Sequence, residues 1–357
     1  MNFDLNRITV VIPSYQPDEK LKKTFASLTE AGFTDILIVD DGGGERFAPI
    51  FDELKKEPAC TLLVHEVNRG KGAALKTAFS FLAENRPDSL GCVTADGDGQ
   101  HLAEDVLACA KRMCETDSCV LGVRDFSLPD VPRRSRMGNR ITSTVFRLFC
   151  GMKISDTQTG LRAFPSRYYG ALLTVEGERY DYETNMLLSA KRMKMPLTEQ
   201  PIATVYIDEN RASHFHPVRD SVRIYSFILK YCLSSAASAA VDLIAFYLLF
   251  HFFGARLGLA AVLVCTFCAR AISAFVNFLI NRGVVFRNGA ERRFGTTLAR
   301  YFLLAVSLIL CSTGVVELLK LLFGTELPLL VTFFKMIADT ILFLCSFRIQ
   351  KNWVFRD

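Results

Sequence analysis

The chain has 357 residues, half of them hydrophobic, and a formal net charge of +5 at pH 7. This length favours two or more domains, and the modest charge, without a cluster of basic and aromatic residues, argues against a nucleic-acid-binding protein. The first residues lack the basic start, apolar core and cleavage site of a signal peptide, so none is expected. The eleven cysteines are scattered without a paired framework, which is typical of a reducing compartment.

The first 210 residues alternate apolar runs of the β type with helical patterns. Six runs are predicted to be strands: RITVVI, DILIVD, TLLVHE, GCVTA, CVLGV and IATVYI. Helical patterns lie near 18–31, 71–85 and 103–116. This alternation predicts an α/β domain on a largely parallel sheet, in which ligands bind beyond the carboxyl ends of the strands.

Polar and glycine-rich motifs follow four of these predicted strands. They read PSY, DDGGG, NRGKG and DGDGQH in chain order. Because the carboxyl ends of parallel strands lie at one edge of a sheet, the four motifs are expected to converge on a binding site.

The motif DGDGQH carries two carboxylates, Asp96 and Asp98, one residue apart. They supply hard oxygen ligands suited to Mg²⁺ or Mn²⁺, and Gln100 can add a neutral oxygen. The alternative is a structural turn rich in aspartate and glycine. In NRGKG, backbone amides and Lys71 could steady a nucleotide at a helix start, although an ordinary helix entry has the same pattern.

The segment RRSRMGNRITSTVFRLFCG, residues 133–151, predicts an amphipathic helix. At 100° per residue its basic stripe contains Arg133, Arg136, Arg140 and Arg147, and an apolar face contains Ile141, Val145, Leu148 and Phe149. Such a helix near 133–150 suits the headgroup boundary of a membrane, as does a second segment near 216–230. The alternative is a helix packed on the sheet with a solvated basic face.

Four apolar segments are each long enough to cross a bilayer, which takes about 20 helical residues. They lie near 231–253, 258–280, 301–323 and 328–349, so residues 226–357 are expected to form an all-α transmembrane domain. The connector after the second segment and the C-terminal tail are rich in arginine and lysine, which predicts a cytoplasmic N-terminal domain and cytoplasmic termini. Buried helices of a large soluble protein are the alternative.

Three ionisable residues lie inside the apolar segments: Asp242, Arg270 and Asp339. They indicate either a polar path for a lipid headgroup or an interhelical ion pair, because charges at bilayer depth need a partner or a cavity. The second and fourth segments also end alike, NFLINRGVVFRN against SFRIQKNWVFRD, which hints at a duplicated two-helix hairpin.

The motifs VVIPSYQPDEKL, IVDDGGG, NRGKGAAL, TADGDGQH, DTQTGLRAF and YDYETNML occur in this order. Together they resemble a family 2 glycosyltransferase of GT-A fold, specifically the dolichyl-phosphate mannose synthase and bactoprenol glucosyltransferase group. The resemblance covers about residues 7–225, so residues 1–225 are expected to form the catalytic domain. The remainder resembles the GtrA-like membrane family through VDLIAFYLL and RAISAFVNFLINRGVVF.

The resemblance implies roles for individual residues. The nucleoside site would consist of Pro13, Tyr15, Ile38 and Asp40. The diphosphate would meet Ala95, Asp96, Gly97 and Asp98, with Mg²⁺ or Mn²⁺ on Asp96, Asp98 and Gln100. Arg124 in LGVRDF matches a phosphate-contacting arginine. The chain departs from the family pattern at Gly43, where serine is usual, and at His214, where lysine is usual.

By the same resemblance the acceptor is a polyprenyl phosphate, such as undecaprenyl phosphate. Its phosphate would lie among Arg124, Arg133, Arg136, Arg140 and His214. A phosphate monoester is largely deprotonated at pH 7 and needs little general-base help, so a single displacement with inversion at the sugar carbon is expected. Asp98, Arg124 and Arg136 are then the predicted catalytic residues, and the favoured donor is UDP-glucose, followed by GDP-mannose.

Two acids in YDYETNML, Asp181 and Glu183, are expected to bind sugar hydroxyls, with a general base for an alcohol acceptor as the alternative. A processive polysaccharide synthase is a weaker reading, because such enzymes use a Gln-x-x-Arg-Trp motif and the single tryptophan is Trp353. A protein that transports the lipid-linked sugar, with a regulatory soluble domain, is the other alternative. The membrane helices could move product, anchor the enzyme or gather a homo-oligomer.

Overall fold

The computed structural model describes residues 3–129, 131–147, 151–190, 193–205, 226–257, 261–286, 293–324 and 327–355. The chain divides into two units, Met1–Arg147 with Met152–Ile224, and Leu148–Gly151 with Tyr225–Asp357. His214 and most of the second expected interfacial segment, near 216–230, lie outside the described residues.

The first unit is built on a sheet of seven strands. They are β1 Ile8–Ser14, β2 Ile36–Asp40, β3 Cys60–Val64, β4 Gly91–Thr94, β5 Cys119–Arg124, β6 Arg162–Pro165 and β7 Leu197–Ile202. Their order across the sheet is β3-β2-β1-β4-β6-β5-β7, with β6 antiparallel to both neighbours and the other pairs parallel. The expected α/β fold on a largely parallel sheet is confirmed.

Seven helices accompany the sheet in the described part of this unit. They are α1 Glu19–Glu30, α2 Ala48–Leu54, α3 Lys71–Asn85, α4 Ala103–Thr116, α5 Arg133–Val145, α6 Tyr169–Leu173 and α7 Asp181–Ser189. Helix α1 begins where the Asp18 carboxylate accepts a hydrogen bond from Lys20 N at 2.9 Å. It buries Leu21, Phe25 and Leu28, which recur at helical spacing, in the core shared with β1 and β2.

Two strands differ from the sequence prediction. Strand β6 was not expected, and β7 lies at residues 197–202, whereas the predicted run IATVYI begins at Ile202. The sequence of β7, LTEQPI, is mostly polar because this strand pairs along one side only, with β5, and stays half-exposed. Because this edge strand is polar, the sequence prediction placed it five residues too late, on the next apolar run.

The central strands are buried along almost their whole length. Every residue of β2 and six of seven residues of β1 are buried, as both faces of a parallel sheet require. Ser14 at the end of β1 lies in register with Asp40 at the end of β2, and β4 runs parallel to β1 on its other side. The loops after β1, β2 and β4 therefore leave the same edge of the sheet.

The second unit contains four long apolar helices, α8 Ser226–Leu257, α9 Ala261–Ile280, α10 Phe294–Phe323 and α11 Pro328–Ile349. By length and composition the candidate membrane spans are Leu229–Phe253, Val264–Val285, Phe294–Phe323 and Leu329–Val354. The described residues thus contain four such helices, the number expected from the sequence.

Helices α9 and α11 both end in a π-helical turn, Asn281–Val285 and Gln350–Val354. The first residues of the two turns bind each other, with Asn281 Nδ2 donating to Gln350 Oε1 at 3.0 Å. Each turn also contacts the helix before the other turn. The ring centroids of Phe278 and Phe355 are 5.9 Å apart, and those of Phe286 and Phe347 are 5.6 Å apart. The two helical hairpins thus meet through equivalent residues, which supports the structural repeat suggested by the sequence.

The ionisable residues inside the spans have polar partners. Arg270 Nε on α9 lies 3.5 Å from Asp242 Oδ2 on α8, so these two helices share an ion pair. Asp339 lies 3.0 Å from Lys335 Nζ and accepts a hydrogen bond from Ser312 Oγ at 2.6 Å. Pairing of this kind lowers the cost of placing charge at membrane depth.

Candidate active site

The loop after β4 carries Asp96 and Asp98 and is closed by its own hydrogen bonds. Asp98 Oδ1 accepts from Gln100 N at 3.0 Å, and Asp96 N donates to His101 Nδ1 at 3.0 Å. Gly99 has a φ of +80°, which favours glycine. Both carboxylates therefore project from a turn whose backbone is held in place.

Lys71 brings two of the predicted site acids together. It is the first residue of α3, and its Nζ lies 2.7 Å from Asp96 Oδ1 and 3.1 Å from Glu183 Oε1 on α7. The lysine side chain is only 17% exposed. Three residues expected in the donor site thus form one partly buried cluster.

Charge sets the protonation of this cluster. Burial alone would raise the pKa of Asp96, but the positive charge of Lys71 outweighs burial and lowers that pKa. Burial, followed by the negative charge of Asp96, raises the pKa of Asp98. Burial also lowers the pKa of His101, in accord with the acceptor role of its Nδ1. Asp98 is therefore a carboxylate whose ionised form a nearby cation would stabilise.

These residues also fit a divalent cation by ligand type. Among the described residues, no three histidine, cysteine or acidic side chains are grouped as a metal site on their own. Mg²⁺ and Mn²⁺ commonly bind one or two carboxylates and take remaining oxygens from substrate phosphates and water. Asp96, Asp98 and Gln100 match that habit.

Gly160, in the segment leading to β6, allows the backbone to approach the cluster closely. A Cβ atom at this position would lie 2.3 Å from Asp96 Oδ2 and 3.0 Å from Lys71 Nζ. Thr94 Oγ1 donates to the carbonyl of Gly160 at 2.8 Å and fixes this approach. A side chain here would push the Asp96 carboxylate out of its position.

The substitution Gly160→Ala is expected to lower the activity of this site by about 100-fold, because small displacements of a reacting group carry costs of that order. Thermal unfolding of the variant should change little by comparison. Gly170→Ala is the matched control, since nothing lies within 4 Å of a Cβ at Gly170. Full activity in the Gly160 variant would contradict a site at Asp96.

The predicted nucleoside residues occupy different depths. Asp40 is buried, its Oδ1 accepts a hydrogen bond from Gly43 N at 2.7 Å, and burial raises its pKa. Pro13 and Tyr15 are partly exposed at the end of β1. Ile38 has no exposed surface and belongs to the hydrophobic core, so its side chain supports the edge from below.

The predicted diphosphate residues Ala95 and Gly97 flank Asp96 in the loop after β4. Ala95 is 1% exposed and belongs to the hydrophobic core, whereas Gly97 is partly exposed. A Cβ at Gly97 would lie 2.8 Å from Leu21 Cδ1, so glycine lets this loop pack closely on α1.

The glycines of NRGKG fit the loop before α7. A Cβ on Gly70 would lie 2.5 Å from the Glu178 carbonyl oxygen, and one on Gly72 would lie 2.5 Å from Tyr182 Cβ. The amides of Arg69 and Gly70 bind Asp41, and Ala73 N donates to Glu178 O. Since these amides bind the protein's own oxygens, the Lys71 side chain is the part of the motif that faces the acids.

Arg124, at the end of β5, is held by a buried acid outside the predicted set. Its Nε and Nη2 lie 2.7 and 3.3 Å from the two oxygens of Asp156, which has no exposed surface. The positive charge of Arg124 also contributes to the lowered pKa of Asp96. Asp156 therefore orients an arginine that lies near the carboxylate cluster.

The arginines of α5 separate into two groups. Arg133, Arg136 and Arg140 are all exposed, but Arg136 also donates to the carbonyl oxygens of Phe126 and Leu128 at 3.0 and 2.8 Å. On the same helix Met137 and Ile141 are 63% and 52% exposed. Arg136 thus fastens the loop before the helix, and two apolar side chains lie exposed one turn apart.

The two acids at the start of α7 also separate. Glu183 joins the cluster with Lys71, whereas Asp181 accepts a hydrogen bond from Arg179 N at 3.1 Å at the helix start. Beneath them Arg162, 1% exposed, donates to the carbonyl oxygens of Thr159 and Glu183 at 2.9 and 2.8 Å. Arg162 thereby joins the segment before β6 to α7.

Sequence reasoning missed Asp41, Asp156 and Arg162. Asp156 and Arg124 are 32 residues apart, and Arg162 and Glu183 are 21 residues apart. No local spacing rule links residues so far apart. The motifs DDGGG and DTQTGLRAF contain all three residues, but the motifs do not say which partner each one has.

Two family models match the chain. The model described as Glycosyl transferase family 2 matches residues 9–172. The model described as GtrA/DPMS, transmembrane domain, matches residues 230–355.

Three proteins similar in sequence to this chain are named as glycosyltransferases or sugar transferases. A UDP-N-acetylglucosamine–dolichyl-phosphate N-acetylglucosaminyltransferase of Methanococcus voltae is 28% identical over 57% of this chain and 88% of that protein. A dolichyl-phosphate beta-glucosyltransferase of Dictyostelium discoideum is 26% identical over 61% of this chain and 73% of that protein. An undecaprenyl-phosphate 4-deoxy-4-formamido-L-arabinose transferase of Pseudomonas paraeruginosa is 25% identical over 48% of this chain and 50% of that protein.

Proposed function

We propose that this chain, a family 2 glycosyltransferase joined to a GtrA/DPMS transmembrane domain, transfers a hexose from a nucleoside diphosphate sugar to a polyprenyl phosphate. The two family matches confirm the resemblance drawn from the sequence motifs. The acceptor is proposed from the names of the three relatives, all of which act on dolichyl or undecaprenyl phosphate.

One observation supports this proposal above the others. Asp96, Lys71 and Glu183 form a single cluster, and Asp98 lies in the same loop as Asp96. The cluster lies at the carboxyl edge of a mostly parallel sheet, where such folds bind ligands. A cluster of both charge signs suits a donor that brings an anionic diphosphate and a divalent cation.

The proposed donor site divides its tasks among these residues. Asp96, Asp98 and Gln100 would hold Mg²⁺ or Mn²⁺, which neutralises charge on the departing nucleoside diphosphate. Lys71 would exchange its carboxylate partners for diphosphate oxygens, and Glu183, thus freed, would bind sugar hydroxyls together with Asp181. Tyr15 and Asp40 would border the nucleoside at the ends of β1 and β2.

The proposed acceptor site uses arginines. Arg124, oriented by Asp156, would direct paired hydrogen bonds to the acceptor phosphate, with Arg133, Arg136, Arg140 and His214 as further contacts. A deprotonated phosphate oxygen attacks the sugar carbon as the diphosphate leaves from the opposite side, so the product has the inverted configuration. No protein base is required, because the second pKa of a phosphate monoester is about 6.

The proposed topology follows the charge of the connectors. Basic residues lie between α9 and α10 and after α11, and by the positive-inside rule they support a topology in which both termini and the catalytic domain would be cytoplasmic. Helix α5 would rest at the membrane surface, with Met137 and Ile141 toward the lipid and Arg133 and Arg140 at the headgroups. Of the possible donors we favour UDP-glucose, then GDP-mannose.

An assay with isolated membranes tests the proposed function. Membranes containing the full chain are incubated with undecaprenyl phosphate, Mg²⁺ and one labelled donor, in turn UDP-glucose, GDP-mannose and UDP-N-acetylglucosamine. Label is expected in the organic extract with one donor, in a form released by mild acid. Absence of labelled lipid with every donor would contradict the proposal.

A further inference from the structure

Asp41, the second acid of DDGGG, is a buried carboxylate outside the donor cluster. It is 3% exposed, and three donors surround it. His65 Nδ1 lies 2.7 Å and Arg69 N lies 2.9 Å from Oδ1, and Gly70 N lies 2.7 Å from Oδ2. Two of these donors are consecutive backbone amides of the segment that precedes α3.

His65 carries the connection further. It follows β3 directly, it is buried, and its Nε2 lies 2.9 Å from Thr77 Oγ1 on α3. Because a carboxylate can only accept, His65 donates from Nδ1 to Asp41, and in the neutral ring Nε2 accepts from the Thr77 hydroxyl. The ends of β2 and β3, the segment before α3 and the body of α3 are thus linked by one chain of hydrogen bonds.

Asp41, together with the His65 side chain and the Arg69 and Gly70 amides that bind it, is called the clamp. Lys71 is the residue directly after it. Gly70 adopts a φ of +102°, and its neighbours leave no room for a Cβ. The peptide that enters Lys71 is therefore fixed from one side by Asp41 and from the other by the loop before α7. A lysine side chain has four rotatable carbon bonds, so a fixed starting point narrows where its ammonium group can lie.

We infer that Asp41 and His65 are positioning residues for the donor diphosphate, acting through Lys71. This inference rests on the proposed function, in which Lys71 contacts the diphosphate. The clamp holds the Arg69 and Gly70 amides so that the Lys71 ammonium group stays between Asp96 and Glu183, ready for the incoming phosphate. Neither Asp41 nor His65 touches the donor.

A double-mutant cycle tests the inference in the full-length, detergent-solubilised chain. His65→Leu is expected to raise the Kd for UDP with Mn²⁺ about tenfold, by titration calorimetry, with kcat at saturating donor within about twofold of wild type. In a Lys71→Met background, His65→Leu is expected to change the Kd less than about twofold. Effects that multiply in full would show that His65 acts independently of Lys71 and would overturn the inference.

Further variants separate positioning from stability. His65→Asn can still donate to Asp41 and is expected to keep the Kd within about threefold of wild type, whether or not the leucine variant folds. Asp35→Asn is the matched control, since it breaks a different cluster, with Arg86 and Thr9, at the opposite edge of the sheet. It should lower the unfolding temperature and leave the Kd unchanged. A raised Kd in this control, or a tenfold effect of His65→Asn, would overturn the inference.

The inference and the proposed function fail in different ways. If wild type neither binds UDP or GDP with Mn²⁺ nor labels lipid, the proposed function is wrong and the inference fails with it. If wild type binds and transfers normally while the His65 and Lys71 effects multiply, the proposed function stands and the inference alone is overturned.

Discussion

Replacing Asp98 with asparagine is expected to lower lipid-linked sugar formation by about a thousandfold, a barrier increase of about 4 kcal/mol. Asparagine removes the negative charge that Mg²⁺ or Mn²⁺ would need in the proposed site. Its side-chain oxygen can still accept the hydrogen bond that Gln100 N gives to Asp98, so the turn should survive. Initial rates at saturating donor, measured over a range of Mn²⁺ concentrations, provide the test.

Asp52→Asn is the control for this charge change, because Asp52 is an exposed residue of α2. Membrane insertion of both variants should equal that of wild type. Unchanged transfer in the Asp98 variant would remove the metal hypothesis.

Replacing Lys71 with methionine is expected to raise the KM for the nucleotide sugar by about 10- to 100-fold, the value of one hydrogen bond to a charged group. The variant also leaves Asp96 and Glu183 partly buried without their shared cation. We therefore expect a loss of about 2 kcal/mol in the free energy of unfolding, less than for a fully buried pair. Donor titrations of the rate and denaturant unfolding measure the two effects.

Metal binding should offset part of this loss. With Lys71 absent, Mn²⁺ at millimolar concentration is expected to raise the unfolding temperature of the variant more than that of wild type, since the cation replaces the missing positive charge. Lys23→Met is the control, because it makes the same lysine-to-methionine change at an exposed position on α1. An unchanged KM in the Lys71 variant would mean that the ammonium group is not in the donor site.

The fold was predictable where strands are apolar and the chain alternates regularly. β1 to β5 were found from their runs, and the helical patterns near 18–31, 71–85 and 103–116 agree with α1, α3 and α4 within about two residues. β6 escaped because RAFP is four residues long, begins with arginine and ends with proline. Its antiparallel insertion between β4 and β5 depends on pairing partners that a local pattern does not contain.

The candidate site was predictable through its motifs and not through its contacts. The spacing of Asp96 and Asp98 indicated a shared cation, with a structural turn rich in aspartate and glycine as the alternative. Nothing local indicated that Lys71 would lie between Asp96 and Glu183, since 112 residues separate Lys71 from Glu183 along the chain. Such contacts depend on how α3 and α7 pack on the sheet.

The repeat in the membrane unit was weakly indicated by the sequence and is better supported by the structure. Five matching residues in two twelve-residue segments were weak evidence by themselves. The structure gives both segments the same π-helical turn, and Asn281 and Gln350 at the start of each turn bind each other. Here geometry supplied the support that sequence identity lacked.

Anomalous diffraction from crystals of the full chain grown with UDP and Mn²⁺ would locate the proposed cation itself. One manganese peak is expected, in contact with the carboxylates of Asp96 and Asp98 and with the diphosphate. A bound nucleotide with no ion beside it, or with both carboxylates turned away from it, would show that Asp96 and Asp98 do not hold a cation in the donor site.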